Sequence, residues 1–229
     1  MDKSLATVFV VDDDVDLCRA VRRLLSSAGY QSRTFSSSAE FLADHDPETP
    51  GCIVLDLSMP DLGGFEVQAA LAAAGCRRPI IFLTGYGSIP VTVTAMRAGA
   101  VDFLVKPVEE SRLFAAVDEG LRIDAAERHA GCLHRSLAQR LATLTPRERE
   151  VLEHVVRGRL NKQIAGDLGT VEKTIKVHRA RVMHKMRARS LAELVQLAGT
   201  AGIGSELTIA PATQSARAAI SESRGYTSW

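Results

Sequence analysis

The sequence predicts an α/β fold, a doubly wound parallel sheet of five strands, followed by a small all-helical domain. Three observations lead to this prediction. Short apolar runs recur at regular intervals in the first half of the chain, helical patterns lie between them, and after Pro107 the pattern is helical throughout. Alternating strands and helices give a parallel sheet with helices on both faces. A chain of 229 residues is long enough for two domains, each with its own core.

The apolar runs of the first half are predicted to be buried strands. They comprise residues 7–11, 31–35, 52–55, 79–83 and 101–105, of which the second is the weakest. Helical patterns separate them at residues 15–27, 39–43, 65–74 and 91–98. Three of these patterns are followed by a glycine, which is a common residue just after a helix.

The second half is predicted to be helical and to contain the boundary between the domains. Residues 113–121 carry an apolar stripe, and residues 123–140 form a charged linker that is helical or flexible, with helix favoured. Four short helices follow from Leu144 to Gly199. The predicted division is a first domain at 1–122, the linker, a second domain at 141–199, and a disordered tail at 200–229.

The two halves of the chain carry opposite net charge. Residues 1–120 contain 10 basic and 17 acidic residues, a net charge of −7, and residues 121–229 contain 18 and 10, a net charge of +8. An acidic half and a basic half suggest different functions. There is no long apolar run and no signal-peptide pattern, so we expect a soluble, cytoplasmic protein without membrane contact.

The cysteines lack the spacing of a zinc site or a disulfide framework. We expect them to be small buried residues in a reducing compartment. They are Cys18, Cys52, Cys76 and Cys132.

Acidic side chains follow two of the predicted strands. Asp12 and Asp13 come directly after the first strand, and Asp56 ends the third. Carboxyl ends of parallel strands meet at one edge of the sheet, where such folds hold ligands. Neighbouring carboxylates raise one another's pKa unless a cation such as Mg²⁺ binds between them. Thr84 and Lys106 end two further strands, and they add a hydroxyl group and a cation suited to a phosphoryl group.

The motifs VDD, LDLSMPDLGG, LTGYG and AVDFLVKP resemble those of a receiver domain of two-component signalling, over residues 7 to about 120. The resemblance implies a flavodoxin-like sheet, with Asp56 accepting a phosphoryl group from a sensor histidine kinase. It also implies that Mg²⁺ is held by Asp12, Asp13, Asp56 and the main-chain carbonyl of Ser58.

The resemblance assigns further roles at the same edge. Asp56, Thr84 and Lys106 would form the catalytic set, in which Thr84 contacts the phosphoryl oxygens and Lys106 pairs with them. Thr84 and Phe103 would form the conformational switch. The family also implies a cis peptide bond between Lys106 and Pro107, an uncommon state elsewhere.

Several of these residues also have structural interpretations. Asp14 and Asp16 are typical charges for the first turn of a helix, and Asp61 is typical of a turn. Thr84 and Phe103, taken singly, fit a strand and a core. The joint occurrence of suitable residues at four strand ends favours the phosphoryl site.

A basic helix is predicted at residues 171–187. One stripe of it is expected to face a core, namely Val171, Ile175, Val182 and Met186. A different face combines positive charge with small apolar groups, which suits the major groove of DNA, and consists of Lys173, Lys176, Val177, Ala180 and Arg181. A charged helix face is usually just solvated surface. However, the preceding segment predicts a helix, a turn at Gly169 and then this helix, which is the helix-turn-helix arrangement.

The run LTPREREVLEHVVRGRLNKQIAGDLGTVEKTIKVHRARVMHKM resembles a LuxR-type domain. Its combination with a receiver resembles the FixJ/NarL class of response regulators. The resemblance implies that Lys176, Val177 and Ala180 face bases of double-stranded DNA. It places Thr174, His178 and Arg179 near phosphates, although His178 also fits a packed or capping residue.

The final helix carries an apolar stripe that one small domain would not cover fully, formed by Leu191, Leu194, Val195 and Ala198. The resemblance implies that a phosphorylated homodimer forms through this stripe, and RNA polymerase is a candidate partner.

The expected function is therefore regulation of transcription, in which phosphorylation of Asp56 controls dimerisation and DNA binding. The chain would be a single-turnover phosphoacceptor and not an enzyme. A phosphatase of the haloacid-dehalogenase type is the main alternative, but it would need an aspartate at the position of Ser58. A DNA-binding protein with a receiver used only for dimerisation is disfavoured, because the full set of acidic, Thr and Lys positions is present.

Overall fold

The computed structural model describes residues 5–85 and 89–203. The chain divides between Gly131 and Cys132 into two compact units. Residues 204–229, most of the tail predicted to be disordered, lie outside the described residues. So do residues 86–88, which include the end of the LTGYG motif.

The first unit contains a five-stranded parallel sheet with the strand order β2-β1-β3-β4-β5. All five predicted strands are present, with ends that differ by no more than one residue from the prediction. The elements in chain order are β1 (Thr7–Val11), α1 (Val15–Ser27), β2 (Gln31–Phe35), α2 (Ser38–Asp44), β3 (Gly51–Asp56), α3 (Gly64–Ala73), β4 (Ile80–Thr84), α4 (Ile89–Arg97), β5 (Asp102–Val105) and α5 (Glu110–Ala142).

Helix α5 contains the whole of the predicted linker, residues 123–140. The linker is therefore helical, the favoured of the two predictions, and Gly131 does not interrupt it. At 33 residues α5 is long, but it is charged. Within the described ranges, no helix is both long and apolar enough to cross a membrane.

The strands form because their side chains are buried on both faces of the sheet, as all six residues of β3 show. Alternate residues of β1 belong to different cores. Val8 and Val10 pack with apolar residues of α1 and α5, whereas Phe9 and Val11 pack with residues of α2, α3 and β4. This strand order places β1 beside β3, in a register that pairs Val11 with Leu55, so the residues after them meet at the carboxyl edge.

The second unit contains the four predicted helices around a separate core. They are α6 (Pro146–Val156), α7 (Asn161–Asp167), α8 (Glu172–Met186) and α9 (Leu191–Thr200). Helix α6 begins with a capping box, in which the side chains of Thr145 and Glu148 each accept the other residue's backbone N–H. Gly169, with φ +62°, turns the chain between α7 and α8.

Two details of the predicted helices are wrong. Val171 is not part of the core stripe of α8, because it is the extended residue just before the helix and its side chain is 64% exposed. Helix α9 also does not end at Gly199 but continues to Thr200, and the glycine with positive φ is Gly202. At the end of α8, Arg187 has a left-handed backbone with φ 54° and ψ 34°.

Candidate functional site

Three carboxylates converge at the carboxyl edge of the sheet. Asp12, Asp13 and Asp56 each offer one oxygen, and these oxygens lie within 4.8 Å of one another. Asp12 and Asp56 are buried, and Asp13 is exposed. The group forms because β1 and β3 are neighbours and both end here. The structure thus brings together the three side chains of the predicted metal set.

Lys106 pairs with two of these carboxylates. Its Nζ donates to Asp12 Oδ2 at 2.6 Å and lies 3.2 Å from Asp56 Oδ1. Burial would lower the pKa of Lys106, but the hydrogen bond and charge of Asp12, together with Asp56, raise it. The lysine is therefore held as a cation. The strand pattern predicted its position, and its pairing with Asp12 is a contact that the sequence analysis missed.

Asp12, Asp13 and Asp56 carry more negative charge than Lys106 neutralises, and the ligand atoms that they offer to a metal are all oxygens. Burial raises the pKa of Asp12, although hydrogen bonds from Lys106 and from the Asp14 N–H oppose this. Asp56 Oδ1 is buried, and the contact described for it is the ion pair with Lys106 Nζ at 3.2 Å. Three carboxylates with one lysine between two of them leave a net negative charge, and this charge together with the oxygen ligands fits a hard divalent cation such as Mg²⁺.

The remaining predicted residues of this edge lie around Asp56. The Ser58 N–H donates to Asp56 Oδ2 at 3.1 Å. Thr84 is buried at the end of β4, and its carbonyl accepts the Lys106 N–H at 2.8 Å. Phe103 is only 8% exposed and belongs to the core that contains Phe82. The Lys106–Pro107 bond is cis, as the resemblance implied.

Asp14 and Asp61 have structural contacts of the kind the alternative interpretations suggested. Asp14 is the N-cap of α1, where its side chain accepts the N–H groups of Asp16 and Leu17. Asp61 accepts the Ser37 hydroxyl at 3.0 Å and so joins its turn to the start of α2.

The second unit presents one face of α8 to solvent. Ile175, Val182 and Met186 are buried, so the opposite face of the helix is directed outward. The exposed residues are the five predicted to meet the major groove, Lys173, Lys176, Val177, Ala180 and Arg181. Thr174, His178 and Arg179 are half-buried at the border of this face.

Two of the basic side chains on α8 have protein partners that the sequence analysis missed. Lys176 Nζ lies 3.0 Å from a carboxylate oxygen of Glu172, one turn earlier. Arg179 Nη1 donates to Asn161 Oδ1 on α7 at 3.1 Å. His178 Nδ1 is buried and has no hydrogen-bond partner in the part of the chain described.

A buried ion pair connects the end of α8 to the start of α6. Lys185 Nζ donates to Glu148 Oε2 at 2.6 Å and to the Thr143 carbonyl at 2.9 Å. Glu148 is 2% exposed, and the hydrogen bonds from Lys185 and from the Thr145 N–H lower its pKa. Only the capping-box pattern of Thr145 and Glu148 was visible in the sequence, since the partner of Glu148 is 37 residues away.

The predicted apolar stripe of α9 is only partly available for dimerisation. Leu194 and Ala198 are fully buried in the core of their own unit, whereas Leu191 and Val195 are 43% and 38% exposed. The unit therefore covers the stripe only in part, as expected, and Leu194 and Ala198 are not available for a dimer contact.

Comparison with known proteins identifies the class. Residues 8–118 match the family model of the response regulator receiver domain, and residues 142–198 match that of the luxR family of bacterial regulatory proteins. A receiver-type sheet and a helix-turn-helix unit of this kind define a two-component response regulator that binds DNA. The chain belongs to the FixJ/NarL class of these regulators.

Proteins that are similar to this chain over most of its length support the assignment to this class. The nodulation protein W of Bradyrhizobium diazoefficiens is 43% identical over 203 residues, which cover 89% of each chain. The transcriptional regulatory protein FixJ of the same organism is 40% identical over 86% of this chain and 96% of its own. Among solved structures, the response regulator StyR is 47% identical, with a TM-score of 0.80 over 86% of this chain and 99% of its own.

Membership of the class establishes a transcription regulator and not a classical enzyme. It implies a histidine kinase as a partner of the receiver domain and DNA as the ligand of the luxR-family domain.

Proposed function

We propose that a sensor histidine kinase transfers a phosphoryl group to Asp56 and that this transfer controls dimerisation and sequence-specific DNA binding. In this proposal residues 1–122 receive the signal, residues 123–140 connect the two domains, and residues 141–199 bind DNA. The main support for this proposal is that four charged side chains converge at the carboxyl edge of the sheet, namely Asp12, Asp13, Asp56 and Lys106.

Asp56 is suited to be the nucleophile. Its Oδ1 is paired with Lys106 at 3.2 Å, and a carboxylate oxygen in such a pair keeps a further lone pair that can attack phosphorus. The bond from phosphorus to the kinase histidine breaks as the new P–O bond forms. Mg²⁺, held by Asp12, Asp13, Asp56 and the Ser58 carbonyl, would neutralise charge on the phosphoryl oxygens.

Lys106 and Thr84 then bind the product. Lys106 is already within 3.2 Å of Asp56 Oδ1 and can pair with a phosphoryl oxygen there. The Thr84 hydroxyl is drawn toward the new dianion, and Phe103 occupies the space beside it. This links the charge on Asp56 to the surface formed by α4, β5 and α5. In the dimer, Leu191 and Val195 of two copies would pair.

The test is the uptake of a phosphoryl group by the Asp56→Asn variant. A neutral amide is not a nucleophile, so the variant should gain no phosphoryl mass after treatment with acetyl phosphate and Mg²⁺. Asp61→Asn is the matched control, since Asp61 lies at the same edge but joins a turn to α2, and it should be phosphorylated like the unchanged protein. A phosphoryl adduct on the Asp56→Asn chain would contradict the assignment.

A further inference from the structure

A cavity of about 600 Å³ lies at the amino edge of the sheet, away from the acidic group. The connection from α3 to β4 and the turn from α4 to β5 line it, together with one side of α5. Its apolar lining includes Leu71, Ile80 and Ala100, and its polar lining includes Cys76, Arg77 and Arg78.

Cys76 faces an imidazole at this cavity. Its Sγ is 3.7 Å from His45 Nε2, within hydrogen-bonding range for sulfur. The His45 ring packs against Phe41, with ring centroids 5.2 Å apart. Burial and the charge of Arg78 lower the pKa of His45, while Asp46 opposes this. The imidazole is therefore neutral at pH 7, and its Nε2 can accept a proton when Nδ1 carries the ring hydrogen.

Arg78 lines the same cavity as Cys76 and carries unpaired hydrogen-bond donors. It is 5% exposed, and its guanidinium carbon lies 4.4 Å from the centre of the Phe9 ring. Its Nη2 donates to the carbonyls of Asp46 and Thr49, but Nε and Nη1 are buried and have no partner among the described residues. Burial lowers the pKa of Arg78. Unpaired donors of a buried cation are costly unless an anion or acceptor comes to them.

We propose that Cys76 is a site of oxidation by small peroxides, with His45 as the base and Arg78 as the group that binds the oxidised product. His45 lies within hydrogen-bonding range of the Cys76 sulfur, and Arg78, with two unpaired donors, lines the same cavity as Cys76. This site is distinct from Asp56 and does not depend on the phosphorylation proposal.

The reaction balances with a peroxide as the oxidant. His45 Nε2 takes the thiol proton, and the thiolate sulfur attacks one peroxide oxygen. An S–O bond forms as the O–O bond breaks, so the sulfur loses two electrons and the peroxide gains them. With hydrogen peroxide, the departing hydroxide takes the proton from His45 and becomes water. The product is a sulfenic acid, whose ionised oxygen can accept hydrogen bonds from Arg78 Nε and Nη1.

The other cysteines provide internal references. Cys18 and Cys52 are buried, so a peroxide in solution does not reach them in the folded protein. Cys132 is exposed, whereas Cys76 is only partly exposed. Exposure alone therefore predicts that Cys132 reacts first, and the proposed site predicts that Cys76 does.

The experiment treats the full chain with hydrogen peroxide at pH 7, traps sulfenic acid with dimedone and measures each cysteine peptide by mass spectrometry. Cys76 should be labelled at least about tenfold faster than Cys132, a modest effect for a positioned base. His45→Gln should remove this advantage and leave the Cys132 rate unchanged. Labelling of Cys132 as fast as Cys76 in the unchanged protein would overturn the proposal, whether or not the variant folds. A Cys76 rate unaffected in a folded His45→Gln protein would overturn it as well.

Discussion

Single residues at both proposed sites already have protein partners. Lys106 pairs with Asp12, Lys176 with Glu172, and Arg179 with Asn161. Binding of a phosphoryl group or of DNA therefore exchanges one partner for another. The net gain in free energy is smaller than that of a free cation meeting an anion, because the existing contact is lost.

Lys176 and Arg179 are predicted to differ in what they read on DNA. In the assignment that the resemblance implies, Lys176 contacts bases, so Lys176→Ala should weaken operator binding by about 1–3 kcal/mol and binding to random DNA less. Arg179→Ala should weaken both equally, because a phosphate contact carries no sequence information. Fluorescence anisotropy with operator and random duplexes at fixed salt measures both losses.

Arg22→Ala is the control for this pair, since Arg22 is exposed on α1 of the other unit and should leave both affinities unchanged. If Lys176→Ala and Arg179→Ala gave the same losses on both duplexes, Lys176 would have to be removed from the set of base-reading residues.

The sequence predicted residues whose position follows from local pattern, and it missed contacts made over long separations. Asp56 and Thr84 could be placed because each ends a buried strand. The unpaired donors of Arg78 could not be predicted, because the groups around them come from β1 and the segment before β3. Val171 was assigned to the core because the helical spacing of apolar residues includes it, although α8 begins one residue later, at Glu172.

At the scale of elements, the buried pair of Glu148 and Lys185 fixes α8 against α6. Replacing Glu148 by Gln should lower the stability at pH 7 by about 1–3 kcal/mol, since a buried charged hydrogen bond is lost. The pKa of Glu148 is lowered in the folded state, so its stabilisation is complete above the ordinary glutamate pKa and is lost as pH falls below about 4.

Urea unfolding of the full chain, followed by circular dichroism from pH 7 to pH 3, checks this. The difference between Glu148→Gln and the unchanged protein should shrink toward acid pH. Glu150→Gln is the matched control, because Glu150 is a half-exposed carboxylate on the same helix. An effect of Glu148→Gln equal at both ends of the pH range would contradict the assigned ion pair.

The end of α5 belongs to the core of the second unit. Leu137 is 4% exposed there, and Arg140 Nη1 donates to the Met186 carbonyl at 3.1 Å. A fragment of residues 132–203 should therefore be more stable than one of residues 142–203 by about 2–5 kcal/mol, the usual loss for a buried leucine. Thermal unfolding of the two fragments measures the difference.

Leu137→Ala in the longer fragment should reproduce most of this loss, and Leu133→Ala, at a 58% exposed position, should not. Equal melting temperatures for the two fragments would place the start of the DNA-binding domain at residue 141, as the sequence analysis expected.

At the scale of the whole molecule, the halves differ in charge and each unit has its own core. The sequence predicted this organisation because periodicity and charge both change along the chain. It favoured a helical linker but left a flexible one open, since a charged pattern fits both helix and coil.

Occupation of Asp56 is predicted to shift the regulator from monomer to dimer. Beryllofluoride, a phosphoryl mimic, should raise the sedimenting mass and tighten operator binding together. In a dimer, the α8 helices of the two copies bind the two half-sites of one operator. Val195→Asp should prevent both changes while leaving beryllofluoride binding intact, since Val195 is 38% exposed on α9. Unchanged mass and affinity with Asp56 occupied would mean that another signal controls this regulator.

At Arg187, which caps the end of α8 with a left-handed backbone, folding stability and attraction to DNA favour different residues. Glycine would adopt φ 54° more favourably than arginine by about 1 kcal/mol. Arginine instead leaves a positive charge at a helix C-terminus, where the dipole favours cations and DNA phosphates are attracted. The two requirements favour different residues at position 187, so a variant selected there for a higher melting temperature is expected to be a weaker DNA-binding protein.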